Sequence, residues 1–154
     1  MKPFTLEIAR APILLCIAAG TALTCVAQPL PPPGECPQPR FTGKAPDEFY
    51  QLSNPLKATD QVLKSAEKRY LGGKKNVGCA SCHGRKGDGK GELAGQFVPR
   101  PRNFACAQTI NGIPDGQLFW IIKFGSPGTA MPSHEELADE QIWQLVHYLR
   151  KLAM

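Results

Sequence analysis

The chain has 154 residues, with 18 Lys and Arg against 13 Asp and Glu and a formal net charge of +5. That length fits one domain, nothing in it repeats, and its longest apolar run, 17 residues, falls short of the roughly 20 that a membrane-spanning helix needs. A repeat architecture and stable membrane insertion are therefore not expected, and nothing points to a nucleic-acid partner.

Residues 1–27 read as a secretory signal peptide. Lys2 and Arg10 give a basic start, residues 11–27 are almost free of polar groups, and the run closes on small residues, so cleavage after Ala27 and a periplasmic destination are expected. The alternatives are an uncleaved anchor, or a lipid on Cys25, although Ala22-Leu23-Thr24-Cys25 fits a lipoprotein box poorly. Residues 28–57 are a Pro-rich arm or linker. Seven prolines lie between Gln28 and Pro46, which removes backbone donors and disfavours helix, so an extended tether or an arm lying on the surface is expected.

Residues 58–154 carry the helical signals. A helix should run from a cap at Thr59 or Asp60 to Leu71 and stop at Gly72-Gly73, with Val62, Leu63, Ala66 and Tyr70 on its apolar face. Residues 84–95 are glycine-rich and should be loop. A short helix fits Asp115 to Lys123, closed by Gly125, and a second loop follows to Leu137. The last helix should span Asp139 to Leu152 and bury Ile142, Leu145, Val146, Leu149 and Leu152. Asp139 and Glu140 suit its positive end, and Arg150 and Lys151 its negative end. Helices joined by Gly- and Pro-rich loops, with no alternating strand pattern, give an all-α class.

The chemistry sits in Cys79-Ala80-Ser81-Cys82-His83. A C-x-x-C-H run is the attachment signature of c-type haem. Two thiols three residues apart share one side of a helical turn and can reach two vinyl groups of one porphyrin edge, and the next residue, His83, supplies an imidazole to the iron. A thioredoxin-like site would need a preceding strand, and a zinc ribbon a second C-x-x-C or a His pair; the sequence offers neither. An electron carrier needs a sixth iron ligand. Met1 leaves with the signal and Met154 is terminal, so Met131, in a Pro- and Gly-bounded loop 48 residues after His83, is the expected one. His134 and His147 are its rivals. The implied cofactor is one covalent haem c, its iron held by His83 and Met131.

Three segments in this order resemble class I c-type cytochromes: a helix ending in Tyr70 before Cys79-x-x-Cys82-His83-Gly84, the Gly128-Thr129-Ala130-Met131-Pro132 loop, and the closing helix from Asp139 to Arg150. The resemblance covers about residues 58–152. It implies a small helical domain wrapped around the haem, with Ala66 and Tyr70 meeting the helix that carries Leu145, Tyr148 and Leu149. It also implies that a proline carbonyl, of Pro99 or Pro101, accepts the Nδ1 proton of His83 and raises the ring's basicity.

Two features depart from the family pattern. Ala138 stands where Ser or Thr often caps the last helix, at a cost of about 1 kcal/mol unless Asp139 caps instead. Cys36 and Cys106 are additional, and in an oxidising compartment they are expected to pair and pin the arm to the haem domain.

The function expected is that of a monomeric periplasmic electron shuttle between respiratory redox proteins, not an enzyme. Residues 64–102 carry ten basic groups against three acids, which suits partners with acidic docking surfaces. The alternatives are an enzyme with an open iron position, and the haem subunit of a larger oxidoreductase docked through the arm.

Overall fold

The computed structural model describes residues 13–19, 22–28, 32–38, 42–73 and 76–154. Met1, Lys2, Arg10, Lys74 and Lys75, to which the sequence reading assigned roles, lie outside the described residues. The chain divides into two units, Met1–Pro31 and Pro32–Met154. In the first, β1 (Ile13–Ala19) and β2 (Ala22–Gln28) form an antiparallel hairpin running from the pair Ile13 and Gln28 to Ala19 and Ala22. No helix among the described residues is long and apolar enough to cross a membrane.

The second unit is helical. Its elements are α1 (Asp47–Tyr50), α2 (Asp60–Leu71), a minimal ribbon of β3 (Gly72–Gly73) with β4 (Asn76–Val77), α3 (Ala80–His83), α4 (Ala107–Ile110), α5 (Asp115–Phe124) and α6 (Asp139–Leu152). A single 3-10 turn lies at Ala94–Gln96. The long helices follow the sequence closely. Thr59 caps α2, its Oγ1 accepting from the Val62 amide at 3.3 Å. Gly125, at φ 79°, closes α5 in a conformation that costs a glycine nothing.

α6 starts at Ala138, which has extended dihedrals but no side-chain oxygen to cap with. Gln141 supplies half of a capping box instead, its Oε1 accepting from the Ala138 amide at 3.1 Å.

The core lies where α2, α5 and α6 meet. Ala66 and Tyr70 of α2 are fully buried with Ile142, Leu145, Val146 and Leu149 of α6, and Tyr70 packs on Tyr148 with ring centroids 5.2 Å apart. Leu152 reaches only the edge of this cluster. Phe119 of α5 stacks on Trp143 at 4.3 Å. Burying each large apolar side chain contributes about 1.5–3 kcal/mol, so this seam dominates the fold's stability.

Arg150 does more than face a helix end. It donates to the Ile110 carbonyl at 2.6 Å, to the Ile113 carbonyl, and through Nε to Asp115 Oδ1 at 3.0 Å, tying the end of α4 and the start of α5 to α6.

From Pro32 onward the described residues of the Pro-rich arm belong to the helical unit. A Cys36–Cys106 disulfide with Cα atoms 5.7 Å apart pins them, as the oxidising-compartment argument anticipated. Gln38 then donates from its backbone to Thr109 Oγ1 at 3.1 Å, and Ala45 donates to Gln117 Oε1 at 2.8 Å.

Candidate haem-binding site

One helical turn builds the base of the site. His83 and Cys82 amides donate to the Cys79 carbonyl at 2.9 and 3.2 Å, so Cys79, Cys82 and His83 belong to one turn. The last carbonyls of so short a helix need partners. The following loop folds back to provide them: Leu93, Gly91 and Gly89 amides donate to Ser81, Cys82 and His83 carbonyls at 3.0, 3.2 and 2.8 Å. Such contact demands glycine at 91, where a Cβ would lie 2.3 Å from the Ser81 oxygen. Tyr70 secures the turn to α2 by donating its hydroxyl to the Gly84 carbonyl at 2.8 Å.

His83 is 9% exposed and its ring stacks on Phe104 at 4.3 Å. Burial pushes its pKa down to about 4, so the imidazole is neutral at physiological pH. Its Nδ1 lies 2.9 Å from the Arg102 carbonyl oxygen. A carbonyl only accepts, so Nδ1 carries the proton and Nε2 keeps its lone pair. This corrects the expectation for Pro99 or Pro101. Both line the cavity, but neither carbonyl orients His83; the Pro101 carbonyl is engaged by Gln38 Nε2 at 3.2 Å. Burial also raises both motif thiols, Cys79 to about 11, so they are protonated before any bond is made to them.

The turn opens on a cavity of about 280 Å³. Cys79, Cys82 and His83 line it, as does Met131. The Met131 backbone is held at both ends: its amide donates to Thr129 Oγ1 at 3.1 Å and its carbonyl accepts from Ser126 at 3.2 Å. Of the rival histidines, His134 also lines the cavity, with Nδ1 3.1 Å from Glu136 Oε1. His147 does not line it, and donates from Nε2 to the Leu56 carbonyl at 2.9 Å. Met154 is fully exposed, and Cys106 is spent in the disulfide.

The cavity suits a large, mostly apolar disc with a few polar substituents. Aromatic and aliphatic side chains such as Phe97, Phe104, Leu118 and Ile122 form its walls. Two buried hydroxyls on those walls, Thr42 Oγ1 and Ser126 Oγ, have no hydrogen-bond partner among the described residues. Buried polar groups are nearly always paired, so these two fit a ligand with hydrogen-bonding edges. Among the described residues no group of three or more His, Cys, Asp or Glu side chains is placed to hold a metal ion by itself. Sequence reasoning missed Arg102, Gln38, Thr42 and Ser126; their roles arise from contacts across the fold and leave no local pattern.

A helical domain closed around a cavity, with two thiols and an imidazole on one turn of its wall, defines a protein of the c-type haem class. The cytochrome c family model matches residues 71–153, more than half of the chain, and the chain belongs to that family. Membership brings covalent haem c, to which the thiols, the neutral imidazole and the hydroxyls of Thr42 and Ser126 are suited. Among solved structures, the chain is similar to one from the Kuenenia stuttgartiensis reducing HAO-like protein complex, with 28% identity and a TM-score of 0.57 over 65% of this chain. The chain spans about half of that protein, 47% of its length. No curated protein matches the chain in sequence.

Proposed function

We propose that the protein is a periplasmic one-electron carrier with a single haem c, bonded to Cys79 and Cys82 and ligated by His83 and Met131. One observation supports this above others: these four side chains, brought from one helical turn and a loop far apart in sequence, line one apolar cavity. Haem c, when bound, supplies reversible one-electron chemistry at iron. The chain's own residues do the rest. Cys79 and Cys82 tether. His83, neutral and oriented by the Arg102 carbonyl, offers Nε2. Met131 offers a thioether, which favours the reduced state relative to a second imidazole. Lys64, Lys68, Arg85, Lys86 and Lys90 are exposed and suit acidic redox partners, whose encounter rate would fall with salt.

The test is spectroscopy and mass of the exported protein. One added haem, the weak long-wavelength band of methionine sulfur on ferric iron, and loss of that band in Met131→Ala are the expected results. A band that survives Met131→Ala would sink the ligand assignment, and a product without haem would sink the whole reading.

A second reading is favoured by the similarity to a chain of an HAO-like complex: this chain would be the haem subunit of a larger oxidoreductase. Light scattering of the native exported protein separates the two, since the carrier runs at monomer mass and the subunit with its partners.

A further inference from the structure

The arm reaches the site in a way the carrier reading does not require. Gln38 sits two residues after the disulfide Cys36. Its carboxamide contacts both neighbours of Arg102: Nε2 donates to the Pro101 carbonyl at 3.2 Å, and Oε1 accepts from the Asn103 amide at 2.6 Å. Arg102 in turn donates from Nη1 to the Gln38 carbonyl at 3.5 Å, and Asn103 Nδ2 donates to the Gly34 carbonyl at 2.9 Å. The single peptide carbonyl between those two contacts, that of Arg102, is the acceptor for His83 Nδ1–H. Only a side chain with one donor and one acceptor in a plane can satisfy a carbonyl and an amide in this way, and a carboxamide is such a group.

We propose that Gln38 is a positioning residue for His83: it clamps residues 101 and 103 and so fixes the Arg102 carbonyl that orients the imidazole, with the Cys36–Cys106 bridge anchoring the clamp. This rests on His83 being the iron ligand. A firm Nδ1–H···O=C bond raises the basicity of the ring and stabilises oxidised iron. Loosening the clamp weakens that bond, so the reduction potential rises.

The test uses the holoprotein, comparing the parent with Gln38→Ala, with the near-isosteric Gln38→Met, and with Cys36→Ser/Cys106→Ala. Both Gln38 variants are expected to increase the equilibrium constant for reduction by a fixed donor at least threefold, about 28 mV for one electron. The His83 ring N–H resonance should also move and exchange faster with solvent. The disulfide variant should shift in the same direction. An unchanged potential in Gln38→Met overturns the proposal, whether or not its melting temperature falls, because a merely structural contact would lower stability and leave the potential alone. Should Gln38→Ala not accumulate, Gln38→Met, which keeps the side chain's bulk, decides the matter. A parent that carries haem c with His83 bound while Gln38→Met changes nothing removes the clamp and leaves the carrier standing. A parent without haem c removes both.

Discussion

Breaking the Cys36–Cys106 bridge should cost the helical unit a large part of its stability without unfolding it. The two cysteines are 70 residues apart in sequence. In the chain-entropy description, closing such a loop withdraws about 15 cal/mol/K from the unfolded chain, or about 4 kcal/mol at 25 °C. The unit runs from Pro32 to Met154. A domain of that length typically has ~6–18 kcal/mol in total, so it should survive the loss. Cys106 is only 3% exposed, so the variant is best made as Cys36→Ser/Cys106→Ala, which puts no new hydroxyl in the core. The assay is urea unfolding followed by helix signal and by haem absorbance. The midpoint should fall by the equivalent of about 4 kcal/mol. The slope should steepen, because the unfolded chain without the bridge expands and exposes more surface. A loss under about 1 kcal/mol with an unchanged slope would refute the loop argument. Two reactive thiols in the denatured, unreduced parent would show that the bridge does not form.

Two further outcomes follow from the contacts of α6. Arg150→Ala should destabilise by about 3 kcal/mol, because it strips the Ile110 and Ile113 carbonyls and Asp115 of a charged donor at once; Arg150→Lys should recover little, since an ammonium cannot reproduce the fork. Thermal unfolding checks both, and a loss below about 1 kcal/mol for Arg150→Ala would contradict the assigned role. Ala138→Ser should stabilise by about 1 kcal/mol, since the backbone there already has N-cap dihedrals and only the side-chain oxygen is missing. An unchanged melting temperature would mean that the Gln141 amide, which already donates to the Ala138 carbonyl at 2.8 Å, gains nothing from a second acceptor.

The long helices were legible because each carries its own period and its own end signals. α2 has a Thr59 cap and a glycine stop, and α6 has an apolar stripe between acidic and basic ends. The haem motif was legible because five consecutive residues hold the whole attachment chemistry. The orienting carbonyl was not. Every residue has a carbonyl, so nothing chemical distinguishes Arg102 from Pro99 or Pro101; the choice depends on the path of a loop that Gln38 holds from 63 to 65 residues away. α1 and α4 have four residues each, too few to show a period. Arg150 stands in the last turn of α6, as its place in the sequence predicts, but its partners 35 to 40 residues distant leave no local pattern.

Core and site are built from the same side chains, and this decides which substitutions can be informative. Tyr70, Phe104, Leu118, Ile122, Leu145 and Leu149 belong to the buried cluster and also line the cavity. Tyr70 shows the consequence. Its ring packs on Tyr148 and Phe104, while its hydroxyl holds the Gly84 carbonyl at the end of the motif helix. Removing the ring would open the α2–α6 seam and release the turn that bears His83, so a changed potential could not be separated from a loosened fold. Tyr70→Phe keeps the packing. The Gly84 oxygen still accepts from the Gly87 amide at 3.0 Å, so the stability cost should stay near 1 kcal/mol. Any effect on the site then reports the turn alone. Edge positions such as Gln38 and Met131 offer the same separation, because each touches the cavity without belonging to the fully buried cluster.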